Sequence, residues 1–264
     1  MINLLLIIGC GNMGGAMLAG WLAAGEDPAR FAVLDPALVE APEGVALYRN
    51  AAEVPGVHDA VLLGFKPQQL GALGPGLLGL TEGRTAFSLL AGITLDQLAA
   101  AFPDADGHVR VMPNLAARIN KSPVILAERG LGADSRDATF ALFDRLGSAV
   151  WLGDEAQFDL VTALAGSGPG FVYRFIDALA GAAIDLGLDE PTAAALALAT
   201  VEGAAALAAA SDASPATLAD RVASPGGMTR EGLNVLDDKA ALRGLLTATL
   251  AATRDKGAAL SRTS

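Results

Sequence analysis

A glycine-rich turn directly follows an apolar run near the start of this chain. The run Asn3–Ile8 has the pattern of a buried strand and not of a signal peptide, because no basic segment precedes it. The next six residues fit the pattern G-x-G-x-x-G; they are Gly9, Cys10, Gly11, Asn12, Met13 and Gly14. Glycines at these positions let the backbone approach a pyrophosphate at the N-terminus of the helix that follows. The pattern predicts the first β-turn-α unit of a dinucleotide-binding domain, the alternative being an ordinary strand-to-helix turn.

Strand-like and helical runs alternate through the first half of the chain, which favours a mostly parallel sheet covered on both faces. Beyond about residue 153 the strand signals end. Long alanine-rich helical patterns follow, of which the clearest are Pro169–Leu186, Thr192–Ala210 and Ala240–Leu260. We therefore predict an N-terminal Rossmann-type, doubly wound α/β domain over residues 1–153, followed by an all-α dimerisation domain over residues 154–264. Thr192–Ala210 is apolar almost all round, so we expect it to pack against a second subunit.

Composition excludes several classes of function. A net charge of −11 argues against a nucleic-acid partner, and the chain has only four lysines, so an anionic ligand must be held largely by backbone N–H groups. Cys10 is the single cysteine, and His58 and His108 are not spaced as metal ligands, so we expect neither a disulfide nor a metal site. Uninterrupted apolar stretches are shorter than the roughly 20 residues of a membrane span. A cytoplasmic protein without membrane contact is the expectation.

Asp35 closes the second predicted strand, at the position where an acidic side chain accepts hydrogen bonds from the adenosine ribose. A carboxylate there repels a 2′-phosphate, so the cofactor is predicted to be NAD(P)H with a preference for NADH. Arg30 lies at the start of that strand and is poorly placed to offset the repulsion. The alternative is that Asp35 only caps the turn with Pro36.

A second unusual string occurs in the helical half. Ser224-Pro225-Gly226-Gly227-Met228-Thr229 places two adjacent glycines ahead of a helical pattern. Such a loop exposes backbone N–H donors and is typical of an anion site of the carboxylate-binding kind. The alternative is a flexible turn between helices.

Several strings, in this order along the chain, resemble those of pyrroline-5-carboxylate reductases. They are Ile8–Gly14, Lys66-Pro67-Gln68, Ser88–Gly92, Arg110–Asn114, Gly166-Ser167-Gly168-Pro169, and Val222–Thr229 with Gly232-Leu233. The resemblance implies an enzyme that passes a hydride from a nicotinamide dinucleotide to a small cyclic imine, in the last step of proline biosynthesis. It also implies a homodimer through the helical domain, and it leaves a higher oligomer open.

The resemblance further implies roles for particular residues. The substrate carboxylate is expected on the loop formed by Ser224, Gly226, Gly227, Met228 and Thr229, with the Thr229 hydroxyl near the ring nitrogen as the catalytic group. Other residues are expected to line the cofactor's ribose and nicotinamide, namely Asn50, Lys66, Pro67 and Ala91. Asp212 corresponds to an acidic residue that approaches the substrate in some relatives. For Lys66 the alternative is a solvated loop residue.

This chain departs from the family pattern in two places. Leu115-Ala116 stands where the family usually has Thr-Pro, beside the expected nicotinamide pocket, and Met228 replaces a smaller residue or threonine. Two other classes of protein are the alternatives. A β-hydroxyacid dehydrogenase would carry a catalytic lysine on the first long interdomain helix, but Gly166–Asp185 contains none. A non-catalytic dinucleotide-binding protein would not need the second anion loop.

Overall fold

The computed structural model describes residues 2–261. Within these residues it forms two compact units, one made of residues 2–167 with 253–261 and the other of residues 168–252. The predicted domain boundary at 153/154 falls inside the first unit, after its last strand. That boundary stays a prediction, because compactness does not define which parts fold independently.

The first unit contains one eight-stranded sheet with the strand order β3-β2-β1-β4-β5-β6-β7-β8. Its strands are β1 (Leu5–Ile8), β2 (Phe31–Leu34), β3 (Ala46–Tyr48), β4 (Ala60–Leu63), β5 (Thr85–Ser88), β6 (Gly107–Met112), β7 (Ser122–Arg129) and β8 (Gly147–Trp151). All neighbours pair in parallel except β6 and β7. The doubly wound α/β class is confirmed.

Helices cover this sheet and account for its apolar strands. They are α1 (Asn12–Ala23), α2 (Leu70–Thr81), α3 (Leu95–Ala101), α4 (Ala133–Asp144) and the short α5 (Phe158–Val161). Every residue of β1, β2 and β4 is buried, as expected for strands packed on both faces. On one face Trp21 stacks on Phe31 with ring centroids 5.3 Å apart, and its indole N–H donates to the Leu142 carbonyl at 2.8 Å. This core fixes α1, and with it the glycine turn, against the sheet.

The second unit is entirely helical within its described residues. It contains α6 (Gly168–Asp185), α7 (Glu190–Ala209), α8 (Pro215–Val222), α9 (Met228–Asp237) and the first part of α10 (Ala241–Ser261). Asp189 caps α7 by accepting from the Thr192 N–H at 3.1 Å, and Pro191 occupies its first turn.

Helix α7 exposes much of its apolar surface, including Leu196, Leu198 and Leu207. By length and composition it is also the one helix of the described chain that is long and apolar enough to span a membrane. The absence of membrane contact, expected because uninterrupted apolar runs are short, therefore stays a prediction. Glu202 interrupts the apolar run and Glu190 begins the helix, but the many alanines keep the helix apolar as a whole.

Candidate active site

The glycine turn lies at the carboxyl end of β1, where the sheet order reverses. Because β1 is hydrogen-bonded to β2 on one side and to β4 on the other, the loops after these strands diverge around a crevice. Gly11 caps α1 without a side chain, so the N–H groups of the first helical turn remain available to an anion. This geometry fits the pyrophosphate of a dinucleotide.

The three glycines of the turn have different physical roles. Gly9 has φ of +86°, and a Cβ there would lie 2.8 Å from the Phe65 nitrogen. A Cβ on Gly14 would lie 2.8 Å from the Gly9 carbonyl oxygen. Gly11, in contrast, would place a Cβ with no protein atom within 4 Å. Gly9 and Gly14 therefore serve packing, whereas Gly11 leaves open the space that a pyrophosphate would occupy.

Cys10 contributes to this turn through its backbone. Its side chain is buried, and burial, followed by the nearby Asp35 carboxylate, raises the pKa of its thiol to about 11. The thiol is consequently neutral at physiological pH and is not a nucleophile.

The Asp35 carboxylate is half-buried and already engaged with the backbone. Its Oδ1 accepts from the N–H groups of Ala37 at 2.8 Å and Leu38 at 3.2 Å, and its Oδ2 accepts from the Cys10 N–H at 2.8 Å. Asp35 therefore does cap the turn that follows β2, which is the alternative role given above for this residue. An ionised carboxylate has about four acceptor positions, so Oδ2 retains capacity for a ribose hydroxyl. Contact with the ribose stays a prediction.

Arg49 also holds the loop that follows β2, a role that no sequence pattern indicates. Its guanidinium donates to the carbonyls of Asp35 at 3.0 Å, Val39 at 3.0 Å and also Leu38. A side chain that binds only backbone carbonyls leaves no charge pattern in a sequence. Its partners become visible only when the loop and β3 are placed together.

The remaining residues predicted to line the cofactor lie on loops. Asn50 is exposed and donates to Glu53 at 2.8 Å, while Lys66 is exposed at the end of the loop after β4 and makes no ion pair among the described residues. Pro67 and Ala91 border one groove beside α2 and α3. These positions suit contact with a ligand along the carboxyl edge, but their roles stay predictions.

The segment Leu115-Ala116, which departs from the family pattern, begins a regular helical turn. Asn114 caps a short 3-10 helix, Leu115–Ile119, by accepting from the Ala116 N–H at 2.9 Å. The Asn114 N–H donates to the Ser122 hydroxyl at 2.8 Å, and its side-chain amide donates to the Ala165 carbonyl at 2.9 Å. These hydrogen bonds hold the backbone beside the expected nicotinamide pocket in place, although Leu115-Ala116 departs from the family pattern.

The loop Ser224–Thr229, which was predicted to bind an anion, runs into the first turn of α9. Gly226 has φ of +70°, and the Gly227 N–H donates to the Ser224 carbonyl at 2.9 Å. Gly227 caps α9 without a side chain, which leaves the N–H groups of the first turn free for an anion. Thr229 is exposed in that turn, and Met228 is 94% exposed.

Asp212 lies outside this local arrangement. It is exposed in the turn between α7 and α8, and the whole of α8 separates it in sequence from Ser224. Its contact with a substrate stays a prediction.

The two histidines occupy the opposite edge of the sheet. His58 precedes β4 and His108 is near the start of β6, and both side chains are buried. The Nε2 atom of each ring lies 2.9 Å from a backbone carbonyl, that of Leu80 for His58 and that of Phe102 for His108. Both rings are thus explained by packing.

Known proteins resemble this chain over almost its full length. Residues 155–260 match the family described as pyrroline-5-carboxylate reductase dimerisation. The pyrroline-5-carboxylate reductase of Methanosarcina acetivorans is 34% identical over 240 residues, covering 88% of each chain. The solved pyrroline-5-carboxylate reductase of Coxiella burnetii superposes with a TM-score of 0.90 at 29% identity, covering 97% of each chain. The Plasmodium falciparum pyrroline carboxylate reductase, solved with NADP bound, has the same fold, with a TM-score of 0.84 at 23% identity over 98% of each chain.

Proposed function

This chain belongs to the pyrroline-5-carboxylate reductase family, and we propose that it reduces 1-pyrroline-5-carboxylate to L-proline with NAD(P)H. It is an oxidoreductase acting on a CH–NH group, in the last step of proline biosynthesis. The observation that carries the proposal is the presence of two uncapped helix N-termini, at Gly11 and Gly227, in a chain similar to such reductases over its length. The first suits a diphosphate, and the second suits a carboxylate.

The chemistry places modest demands on the protein. When bound, the reduced nicotinamide supplies the hydride. An iminium carbon is already electrophilic, so the protein needs to position the substrate and exclude water more than it needs a strong acid. The loop Ser224–Thr229 would hold the substrate carboxylate through its N–H groups, and the Thr229 hydroxyl would orient the ring nitrogen.

A direct assay tests this function. Mixing the protein with NADH or NADPH and 1-pyrroline-5-carboxylate should oxidise the cofactor, measured as a fall in its absorbance. Pyrroline without the carboxyl group should be a much poorer substrate, because it cannot use the loop Ser224–Thr229. Lack of turnover with both cofactors would refute the proposed reaction.

The chain forms a homodimer through its helical domain, and we propose that the exposed apolar surface of α7 lies in that interface. Burial of such a surface between subunits removes the need for a lipid partner. We propose that the protein is cytoplasmic and does not contact a membrane, which is supported by its acidic composition and by this assembly.

We propose that Asp35 directs a preference for NADH. Asp35→Ala is expected to raise the KM for NADH about tenfold, by loss of a charge-assisted hydrogen bond to the ribose, and to affect NADPH less. Steady-state kinetics with both cofactors measure this.

Asp59→Ala is the matched control, since the Asp59 carboxylate likewise accepts only from backbone N–H groups, those of Asn3 at 2.6 Å and Leu4 at 3.0 Å, but at the amino end of the sheet. The control should lower stability and leave the ratio of the two KM values unchanged. An equal rise in the KM for NADH and the KM for NADPH in Asp35→Ala would mean that Asp35 only supports the turn.

Thr229→Ala is expected to lower kcat/KM for the imine about tenfold, the size of one lost hydrogen bond, and to leave NADH affinity unchanged. Thr229→Ser, which keeps the hydroxyl, should retain most of the activity. Cofactor affinity measured by fluorescence titration separates binding from catalysis. Unchanged kinetics in Thr229→Ala would remove this residue from the site.

A further inference from the structure

An ion pair between a buried arginine and a partly exposed glutamate lies near the carboxyl end of β6. Arg110 is 5% exposed, and its Nη1 donates to Glu155 Oε1 at 2.8 Å. The guanidinium also lies over the ring of Phe158, 3.8 Å from the centroid. A buried charge with a bonded partner and an aromatic face is held in one orientation, because each alternative leaves it unpaired.

Glu155 extends this pair to a third element. The same Oε1 that binds Arg110 accepts the N–H of Leu95, the first residue of α3, at 2.8 Å. Burial lowers the pKa of the Arg110 guanidinium, whereas the Glu155 carboxylate acts in the opposite direction. An arginine in a protein remains protonated at neutral pH, so the pair is ionic.

The residues that follow Arg110 are attached to the segment that follows Glu155. The Asn114 amide donates to the Ala165 carbonyl at 2.9 Å, and a Cβ on Gly166 would lie 3.2 Å from the Met112 sulfur. Residues Thr162–Gly166 form a π-helical turn, which is rare and often found at functional sites. The end of β6 thus meets this turn through Asn114 and Met112, while the Arg110–Glu155 pair joins the same strand to the segment that precedes the turn.

The position of β6 in the sheet assigns these contacts to one end of the cofactor. A dinucleotide crosses the carboxyl edge at the reversal of strand order, with its adenosine on the side of β2. Strands β4, β5 and β6 lie on the other side and are parallel, so Met112–Asn114 leave the sheet at the nicotinamide side of this edge.

We propose that Arg110 and Glu155 are positioning residues that hold Met112–Asn114 in place for the nicotinamide end of the cofactor. This inference rests on the proposed function for the identity of the cofactor. Neither residue is expected to touch the reacting atoms. Their effect is to fix where the hydride donor lies.

The first test compares NADH with ADP-ribose, which lacks the nicotinamide. Arg110→Met keeps the length of the side chain but removes the charge, and it should weaken NADH at least fivefold more than ADP-ribose. Arg110→Lys should be intermediate. Arg129→Met is the matched control, because Arg129 pairs with Asp96 on α3 at the exposed surface. In this variant the ratio of the affinities for NADH and ADP-ribose should equal that of the parent. Equal weakening of both ligands by Arg110→Met would overturn the proposal.

The second test measures kcat with NADH deuterated at the transferred position. In Arg110→Met the isotope effect on kcat should increase and kcat should fall at least tenfold, because a misplaced donor makes hydride transfer limiting. A merely destabilised protein would lose active molecules without a change in the isotope effect, and that result would overturn the proposal.

Where Arg110→Met does not fold, Arg110→Lys and Glu155→Gln test the proposal by the same two measurements. A parent that binds NADH but does not reduce 1-pyrroline-5-carboxylate would refute the proposed function, and the ligand ratio would still decide this inference.

Discussion

Gly11→Ala is expected to weaken dinucleotide binding by roughly ten- to hundredfold while the fold stays intact. A Cβ at this position meets no protein atom within 4 Å, so the protein itself has no reason to reject it. The methyl group would instead occupy the space through which a pyrophosphate approaches the first turn of α1. Loss of one or two charge-assisted hydrogen bonds there corresponds to about 1.5–3 kcal/mol.

Isothermal titration with NADH measures the affinity, and thermal unfolding without cofactor measures the fold. Replacing the N-cap glycine by alanine should lower the free energy of unfolding by less than about 1 kcal/mol. The matched control is Gly15→Ala, where the new Cβ lies 3.6 Å from the Cys10 carbonyl oxygen, an ordinary contact inside α1. This control should bind NADH normally and be slightly more stable. Normal NADH binding by Gly11→Ala would place the pyrophosphate elsewhere.

The doubly wound sheet could be predicted because its strands carry the signal in their own residues. Phe31–Leu34 is apolar throughout and forms β2, and every residue in it is buried. Helix α2 carried no such signal, since Leu70–Thr81 contains several glycines and Pro75, all of which disfavour an isolated helix. Its formation depends on packing of Leu77 and Leu80 against the sheet, which is tertiary information.

The candidate site was predictable where backbone conformation dictates the residue type. The glycine turn at Gly9 and the loop at Gly226 both need a positive φ, and glycine supplies it. Contacts made between distant segments were not predictable. The Asp35 carboxylate accepts from Cys10, and Arg110 pairs with Glu155, across intervals of 25 and 45 residues. Only the fold brings these partners together.

Leu207→Glu is expected to weaken the homodimer by at least about hundredfold. Leu207 is 64% exposed on α7, a helix whose surface is apolar almost all round. Burial of a leucine contributes about 1.5–3 kcal/mol, and an unpaired carboxylate in its place adds a desolvation penalty. In a two-fold dimer the substitution is present in both subunits, so its effect counts twice. Sedimentation across a range of concentrations measures the change.

The control for Leu207→Glu is Val57→Glu, which adds the same charge at a side chain that is 68% exposed in the first unit. A general effect of negative charge would weaken both dimers, whereas an interface on α7 predicts that only Leu207→Glu dissociates. A Leu207→Glu protein that dimerises as tightly as the parent would exclude this face of α7 from the interface. Its apolar surface would then require another partner, and because the helix is long enough to span a bilayer, co-sedimentation of the parent with lipid vesicles would be the measurement that identifies it.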